Sequence, residues 1–266
     1  QQAAQSHTGA LANEDRTVDA FLQEHGILRA QSMVDLVDSA PLYLQGWRPK
    51  GRRLVAISNS GAVCVMTADA ATQENMPLEP LQAQTQAELK TILPGFATVT
   101  NPVDITAALL SNSRLFGAIL PPIAKDPAAD AFLIGIAVAG AGYDVNAFSS
   151  DAHQFAQQTG KPLVVAAPQA NIAAQFKANG LVVYPTEGEA VRALGLYLTH
   201  AELMADAKAR QPQVKPPVVP QGDGQLLDEA DSLSWLAQHG VPVVPHRLGR
   251  CLAPIARCTL DGWCAR

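Results

Sequence analysis

The sequence has few aromatic residues, few charges and no long apolar run. Aromatic side chains make up 5% of the 266 residues and charged side chains 16%, whereas apolar residues make up 48%. Such a composition can fill packed cores, so a disordered or collagen-like chain is excluded. No uncharged apolar run reaches the roughly 18 to 20 residues that cross a bilayer, and the N-terminus lacks the pattern of a signal peptide. We therefore expect a soluble, cytoplasmic protein with no membrane partner.

Positive charge is also scarce. The chain has 19 Lys and Arg residues against 24 Asp and Glu residues, which gives a net charge of −5. Binding to a phosphate backbone depends on an excess of basic side chains. We therefore expect no nucleic-acid partner.

Cysteine is absent from most of the chain. Cys64 is the single cysteine of the first 250 residues, whereas Cys251, Cys258 and Cys264 lie in the last sixteen. Their spacing forms no C-x-x-C pair, so we predict neither a metal site nor a disulfide framework. We expect the tail, residues 249–266, to be foreign to the preceding fold, through a shifted reading frame or an abrupt truncation. Because the chain also starts without Met, we expect a fragment of a longer protein.

Short apolar runs alternate with helical patterns from residue 53 onwards. The apolar runs are long enough for strands and are apolar on both faces, as buried parallel strands are. Alternation of this kind is typical of βαβ units and predicts an α/β fold with a flavodoxin-like, doubly wound parallel sheet. The predicted strands are 53–58, 76–79, 131–138, 162–167 and 181–184, and the predicted helices are 61–74, 83–92, 113–124, 145–159, 170–179 and 187–208.

Other patterns flank this layer. Before it, we predict a helix over 10–25 that ends at Gly26, a short strand at 27–29, and a helix that Ser32 caps and Pro41 interrupts or kinks. A Pro- and Gly-containing connection over 47–53 marks a boundary. After the layer, a Pro-rich linker covers 209–224. A helix closed by Gly240 and then a strand are predicted to follow.

The first motif that suggests chemistry is Ser-His-Thr-Gly-Ala-Leu-Ala at 6–12. Here His7 precedes a helix start formed by Gly9, Ala10 and Leu11. A helix N-terminus offers free N–H groups and a positive dipole, which suit a phosphoryl group on the imidazole. The alternative is that Ser6 or Thr8 caps the helix and that His7 is an exposed loop residue.

The second motif, Ser-Asn-Ser-Gly-Ala at 58–62, joins the first strand of the layer to a helix. Such a turn lies at the carboxyl edge of an open sheet, where ligands bind, and Gly61 permits the close approach of an anion. Ser60, Gly61 and Ala62 are therefore candidate phosphate-binding residues. The motif at 58–62 lacks the Gly-Lys-Ser/Thr of a Walker A loop and the G-x-G-x-x-G of a dinucleotide-binding fold. A tight turn of small residues that serves only packing is the alternative.

The third motif is Thr-Asn-Pro-Val-Asp-Ile-Thr at 100–106. Asn101 and Asp104 could orient a loop at the same edge or contact a substrate. The alternative is an Asx-type turn in which Asp104 caps the following helix.

In this order, the three motifs resemble the NDP-forming acyl-CoA synthetases, the superfamily of succinyl-CoA synthetase and ADP-forming acetate–CoA ligase. The resemblance covers about residues 1 to 248. It implies that residues 1–47 end the domain that bears the phosphohistidine and that 51–208 form the flavodoxin-like ligase domain. Residues 225–248 would begin an ATP-grasp domain. His7 falls on the phosphorylated histidine, and Ser60 to Ala62 fall on the second helix start, which faces it.

The resemblance also implies an activity and its ligands. In the family, a small carboxylic acid, CoA and ATP give acyl-CoA, ADP and phosphate reversibly, through an acyl phosphate and the phosphohistidine. CoA, ATP or ADP, and Mg are expected for the full-length protein, together with the missing CoA-binding and ATP-grasp domains and a homo-oligomeric assembly. The fragment alone is not expected to complete the reaction. Two alternatives stay open: the regulatory, synthetase-like part of a protein lysine acetyltransferase, and a plain flavodoxin-like binding module.

Overall fold

The computed structural model describes residues 15–210 and 227–245. The chain divides into two compact units, residues 1–210 and 211–266. The strands of the first unit are β1 (Leu54–Ser58), β2 (Val103–Asp104), β3 (Ala131–Gly135), β4 (Leu163–Ala166) and β5 (Val182–Tyr184). Its helices are α1 (Asp15–Glu24), α2 (Met33–Tyr43), α3 (Gly61–Gln73), α4 (Ala83–Ile92), α5 (Ala108–Ser111), α6 (Arg114–Lys125), α7 (Val145–Thr159), α8 (Ala170–Ala178) and α9 (Glu187–Ala209). The described part of the second unit contains α10 (Glu229–Gln238).

The five strands form one parallel sheet in the order β2-β1-β3-β4-β5. This is the flavodoxin-like order, so the predicted fold class is confirmed. The order reverses between β1 and β3, because the chain passes from β1 to the β2 edge before it returns to β3. A crevice at the carboxyl ends of these strands is where ligands bind in open α/β sheets.

Each face of the sheet supports its own apolar core. On one face, α4, α6, α7 and α8 pack on the strands through a cluster that includes Phe116, Phe132, Phe148 and Phe155, each at most 1% exposed. On the other face, α3 and α9 pack on Leu54, Leu133 and Val164. Burial on both faces explains why the strands are continuously apolar in sequence.

The edge strand beside β1 is not the predicted one. Residues 76–79 form no strand, because Pro77 has no N–H to donate to a ladder. The carbonyl of Pro77 nevertheless accepts a hydrogen bond of 2.8 Å from the N–H of Leu54. The place at the edge is taken by Val103–Asp104, which pairs with Ile57 and Ser58.

Three smaller expectations were also wrong. Residues 27–29 are not a strand: Ile27 is 46% exposed, and the guanidinium of Arg29 binds carboxylates of α1. Pro41 lies inside α2, which ends two residues later at Tyr43, so the proline does not interrupt the helix, whereas a kink there stays a prediction. Residues 241–245, which follow Gly240, have no regular structure.

Helices α1 and α2 pack against α9 within the first unit. Ser32 caps α2 as predicted, since its Oγ accepts a hydrogen bond of 3.1 Å from the N–H of Asp35. The carboxylate of Asp35 in turn binds the guanidinium of Arg192 on α9. The hydroxyl of Tyr184 donates to the carbonyl of Asp38 at 2.6 Å. These bonds hold α2 against the α/β layer.

Among the described residues, no helix combines the length and the apolar character needed to cross a membrane.

Candidate active site

The described residues contain one half of the predicted site. His7, Gly9, Ala10 and Leu11 lie outside the described residues, so their part in the site stays a prediction. The other half consists of the turn between β1 and α3 and the loop around β2. The turn and the Asp104 end of β2 lie at the carboxyl edge of the sheet, beside the point where the strand order reverses.

The turn after β1 presents an open helix start. Ser58 ends the strand, and its Oγ accepts a hydrogen bond of 3.1 Å from the N–H of Ser60. Ser60 is the N-cap of α3, but its own side chain makes no capping hydrogen bond. Within the described part of the chain, the N–H groups of Gly61, Ala62 and Val63 have no hydrogen-bond partner. Three free donors and the positive end of the helix dipole therefore face the same edge.

Asn59 fixes this turn to the neighbouring loop, a role that the sequence analysis did not identify. Its Nδ2 donates to the carbonyl of Val138 at 2.8 Å, and its Oδ1 accepts from the N–H of Ala137 at 2.9 Å. These two bonds join the loop after β1 to the loop after β3 at the carboxyl edge of the sheet. An Asn directly after a buried strand, next to small residues, is the sequence signal that could have indicated this role.

Asn101 has a structural role. Its Nδ2 donates to the carbonyls of Leu54 at 2.7 Å and Glu79 at 3.0 Å, and its Oδ1 accepts from the N–H of Ala56 at 3.1 Å. Because β2 is two residues long, this side-chain amide continues the pairing of β1 where the backbone ladder stops. The first residues of β1 lie away from the carboxyl edge, so the structure does not bring Asn101 to the start of α3.

Asp104 does reach the start of α3. Its Oδ1 accepts a hydrogen bond of 2.8 Å from the N–H of Thr106, which confirms the Asx-type turn. Asp104 does not cap the next helix, α5, whose N-cap is Ala107 and which has no side-chain capping hydrogen bond. The Oγ1 of Thr106 accepts a hydrogen bond of 3.3 Å from the N–H of Ala108. The other carboxylate oxygen, Oδ2, lies 3.0 Å from the point that a Cβ on Gly61 would occupy. The second and third motifs therefore meet at these two residues.

Cys64, one turn into α3, is a buried side chain and not a nucleophile. Its Sγ lies 3.8 Å from the carbonyl oxygen of Val103. Burial, followed by the negative charge of Asp104, raises the pKa of the Cys64 thiol to about 12. The thiolate is therefore scarce at neutral pH.

No group of three or more His, Cys, Asp or Glu side chains in the described ranges could hold a metal ion. The described half of the site thus consists of backbone donors, small side chains and one carboxylate. Groups of this kind suit the binding of an anion but include no nucleophile, so anion binding here stays a prediction.

Comparison with known proteins shows what parts of this chain are similar to. A family model described as the succinyl-CoA ligase like flavodoxin domain matches residues 1–43. The ADP-forming acetate–CoA ligase of Methanocaldococcus jannaschii is 39% identical over 103 residues, which are 39% of this chain and 15% of that protein. The alpha subunit of the ADP-forming acetate–CoA ligase II of Pyrococcus furiosus is 35% identical over 136 residues, which are 51% of this chain and 29% of that subunit.

The structural comparison agrees in fold. Acetyl-coenzyme A synthetase 1 of Ca. Korarchaeum cryptofilum, solved in complex with phosphate and ADP, superposes with a TM-score of 0.68 and 23% identity. The superposition covers 78% of this chain and 45% of the solved chain. The resemblance to the NDP-forming acyl-CoA synthetases is therefore confirmed, while the matched stretches span well under two thirds of these relatives. The acetyltransferase alternative receives no support from them.

Proposed function

We propose that this chain is part of an ADP-forming acyl-CoA synthetase, which converts a small carboxylic acid, CoA and ATP reversibly to acyl-CoA, ADP and phosphate. The similarity to acetate–CoA ligases supports this proposal. Because the matched stretches are 15% and 29% of those proteins, the complete reaction is assigned to a longer protein that contains this chain. The observation that carries the proposal is the open start of α3 at the carboxyl edge of the sheet, where the strand order reverses between β1 and β3.

In this mechanism the imidazole of His7 attacks the phosphorus atom of an acyl phosphate. A bond forms between a ring nitrogen and phosphorus, the bond from phosphorus to the acyl oxygen breaks, and the carboxylate leaves. ADP then takes the phosphoryl group from the histidine. The N–H groups of Gly61 and Ala62 would face the phosphoryl oxygens, and a second helix start at Gly9 to Leu11 would face them from the other side. Each helix start contributes about 0.3 to 2 kcal/mol.

Asp104 limits this stabilisation in our proposal. Its carboxylate lies against Gly61 and places negative charge beside the same helix start. A phosphoryl group there would be held by the helix and repelled by the carboxylate. Moderate binding suits a group that has to be passed on, because equal stabilisation of bound and transition states adds nothing to the rate.

The wider organisation follows as a proposal. Residues 1–47 would end the phosphohistidine domain, 51–208 would form the ligase domain and 225–248 would begin an ATP-grasp domain. The boundary between the two compact units, at residues 210 and 211, falls in the Pro-rich linker 209–224 and supports the separation of 225–248 from the rest, whereas 1–47 and 51–208 fall in the same compact unit. CoA and Mg-bound nucleotide would bind mainly outside the described residues. A cytoplasmic location and a homo-oligomer stay predictions.

Phosphorylation of the full-length protein tests the proposal. With acetyl phosphate, or with ATP and Mg, we expect acid-labile, base-stable phosphate on the protein, as is typical of phosphohistidine. His7→Ala should abolish the label, and His25→Ala, at the exposed residue that follows α1, should retain it. Absence of label on the parent protein, or a label that His7→Ala does not remove, would contradict the proposal.

A further inference from the structure

A cavity of about 870 Å³ lies at the amino edge of the sheet, opposite the start of α3. Its volume is within the range of about 300 to 1,000 Å³ that small-molecule sites occupy. The residues that line it come from four segments that precede strands of the sheet. These segments are the connection 45–53 before β1, residues 127–130 before β3, the end of α7 through Pro162 before β4, and residues 180–181 before β5.

The single carboxylate in the lining is already neutralised. Asp130 accepts hydrogen bonds from the backbone N–H of Arg53 at 3.0 Å and from its guanidinium at 2.8 and 2.9 Å. This pairing with Arg53 holds the pKa of Asp130 below its usual range. A Cβ on Gly51 would overlap the same carboxylate, so glycine allows the connection to run against it. Asp130 and Arg53 thus cancel each other.

Three further cationic side chains line the cavity, and among the described residues none of them forms a salt bridge, although the charge of Lys161 also lowers the pKa of Asp130. Lys161 is held in place, since its Nζ donates to the carbonyl of Ala129 at 2.7 Å and lies 5.7 Å from the ring centroid of Phe132. Arg48 and Lys50 are exposed and form no hydrogen bond or ion pair with the rest of the described chain. The lining therefore has an excess of three positive charges, whereas the whole chain carries −5.

The helices at this edge oppose that charge only in part. The carboxyl ends of α7 and α8 adjoin the cavity, and each is equivalent to roughly half a negative charge. About two positive charges remain, which matches a phosphate dianion. The cavity is much larger than inorganic phosphate, and Trp47, Pro127 and Leu181 add apolar wall.

We propose that this cavity binds an organic phosphate of nucleotide size, with the phosphate held by Arg48 and Lys50 and the organic part against the apolar wall. The cavity lies at the opposite edge of the sheet from the start of α3, which is proposed to face the phosphate on His7. This inference therefore goes beyond the proposed function and does not depend on it. Binding is non-covalent and reversible.

Calorimetric titration of the 266-residue chain with AMP, adenosine and inorganic phosphate tests the proposal. We expect AMP to bind more tightly than inorganic phosphate and adenosine not to bind. The double variant Arg48→Gln, Lys50→Gln should weaken AMP binding about tenfold, since two exposed charge contacts are lost. Neither side chain supports another residue, so the variant should fold normally, and circular dichroism checks this.

A control variant, Arg16→Gln with Lys90→Gln, removes the same charge from exposed positions outside the cavity and should bind AMP within about twofold of the wild type. Failure of AMP to bind, equal affinity for inorganic phosphate, or equal weakening by both variants would overturn the proposal. The label on His7 should be unchanged in the Arg48 and Lys50 variant, so failure at one edge is distinguishable from failure at the other.

Discussion

Gly61, the first residue of α3, and Asp104, the last residue of β2, approach so closely that a Cβ on Gly61 would lie 3.0 Å from Oδ2 of Asp104. Glycine is therefore the residue that lets a carboxylate lie over the open helix start. Two motifs about forty residues apart in sequence form one local environment, with backbone donors from one and negative charge from the other.

Gly61→Ala should lower phosphate incorporation at His7 about tenfold while changing the free energy of unfolding by less than about 1 kcal/mol. The added methyl group narrows the approach to the N–H groups of α3, whereas alanine is favourable in a helix. Gly188→Ala is a matched control, because Gly188 also lies in a first helical turn but a Cβ there has only Thr186 Oγ1 nearby, at 4.0 Å. Equal incorporation in both variants would refute a phosphate site at Gly61.

Asp104→Asn should raise the steady level of phosphohistidine about threefold at a fixed, limiting concentration of acetyl phosphate. The substitution removes a negative charge beside the phosphoryl group. Repulsion between two negative charges in close contact costs on the order of 1 kcal/mol in water. The amide oxygen can still accept from the N–H of Thr106, so the turn is retained. Asp69→Asn, exposed on the same helix, provides the same charge change at a distance. A lower level in Asp104→Asn would instead assign the carboxylate an essential role.

Most helices of the α/β layer could be predicted from sequence because their signals are local. The helix predicted at 145–159 has those bounds, since Gly160 takes a positive φ of 61° and ends it. The prediction of a strand at 76–79 was wrong, because apolar composition does not show whether each residue of a run has an N–H that can donate to a neighbouring strand. The true edge strand is two residues long, too short to have a periodicity.

The site was less accessible to sequence reasoning than the helices. The motif at 100–106 contains a residue that reaches the helix start, Asp104, and one that serves β1, Asn101, and nothing local separates them. The difference comes from which atoms the sheet places beside each side chain. Asn59 was missed for the same reason, since its partners lie nearly eighty residues further along the chain.

Asn101→Asp should destabilise the fold by about 2 to 4 kcal/mol, measured by urea unfolding at pH 7. The new carboxylate oxygen would face the carbonyls of Leu54 and Glu79 where an N–H₂ now donates to both. Asn112→Asp is the control, because the only hydrogen bond of that side chain within 15–210 and 227–245 is one that it accepts, from the N–H of Arg114. An Asn101→Asp protein as stable as this control would show that the amide does not support β1.

The ion pair between α2 and α9 should make stability depend on pH. Asp35 is 4% exposed, and its hydrogen bonds with Arg192 hold its pKa below the usual value. Because the pKa of Asp35 is lower in the folded protein, the unfolded chain binds the proton more tightly. The contribution of the ion pair to the free energy of unfolding is therefore fully present above about pH 4, the pKa of an unfolded Asp, and is lost as the pH falls through the pKa of Asp35 in the folded protein.

Arg192→Met should therefore lower the free energy of unfolding by about 1 to 3 kcal/mol at pH 7. This is less than for a fully buried ion pair, because the arginine side chain is 51% exposed. The variant leaves a buried carboxylate without its partner, and protonation relieves this at low pH. The difference in unfolding free energy between wild type and variant should accordingly shrink between pH 7 and pH 3.5. Arg114→Met, at an exposed site on α6, should show no such convergence. Parallel pH profiles for wild type and Arg192→Met would mean that the pair does not hold α2 to α9.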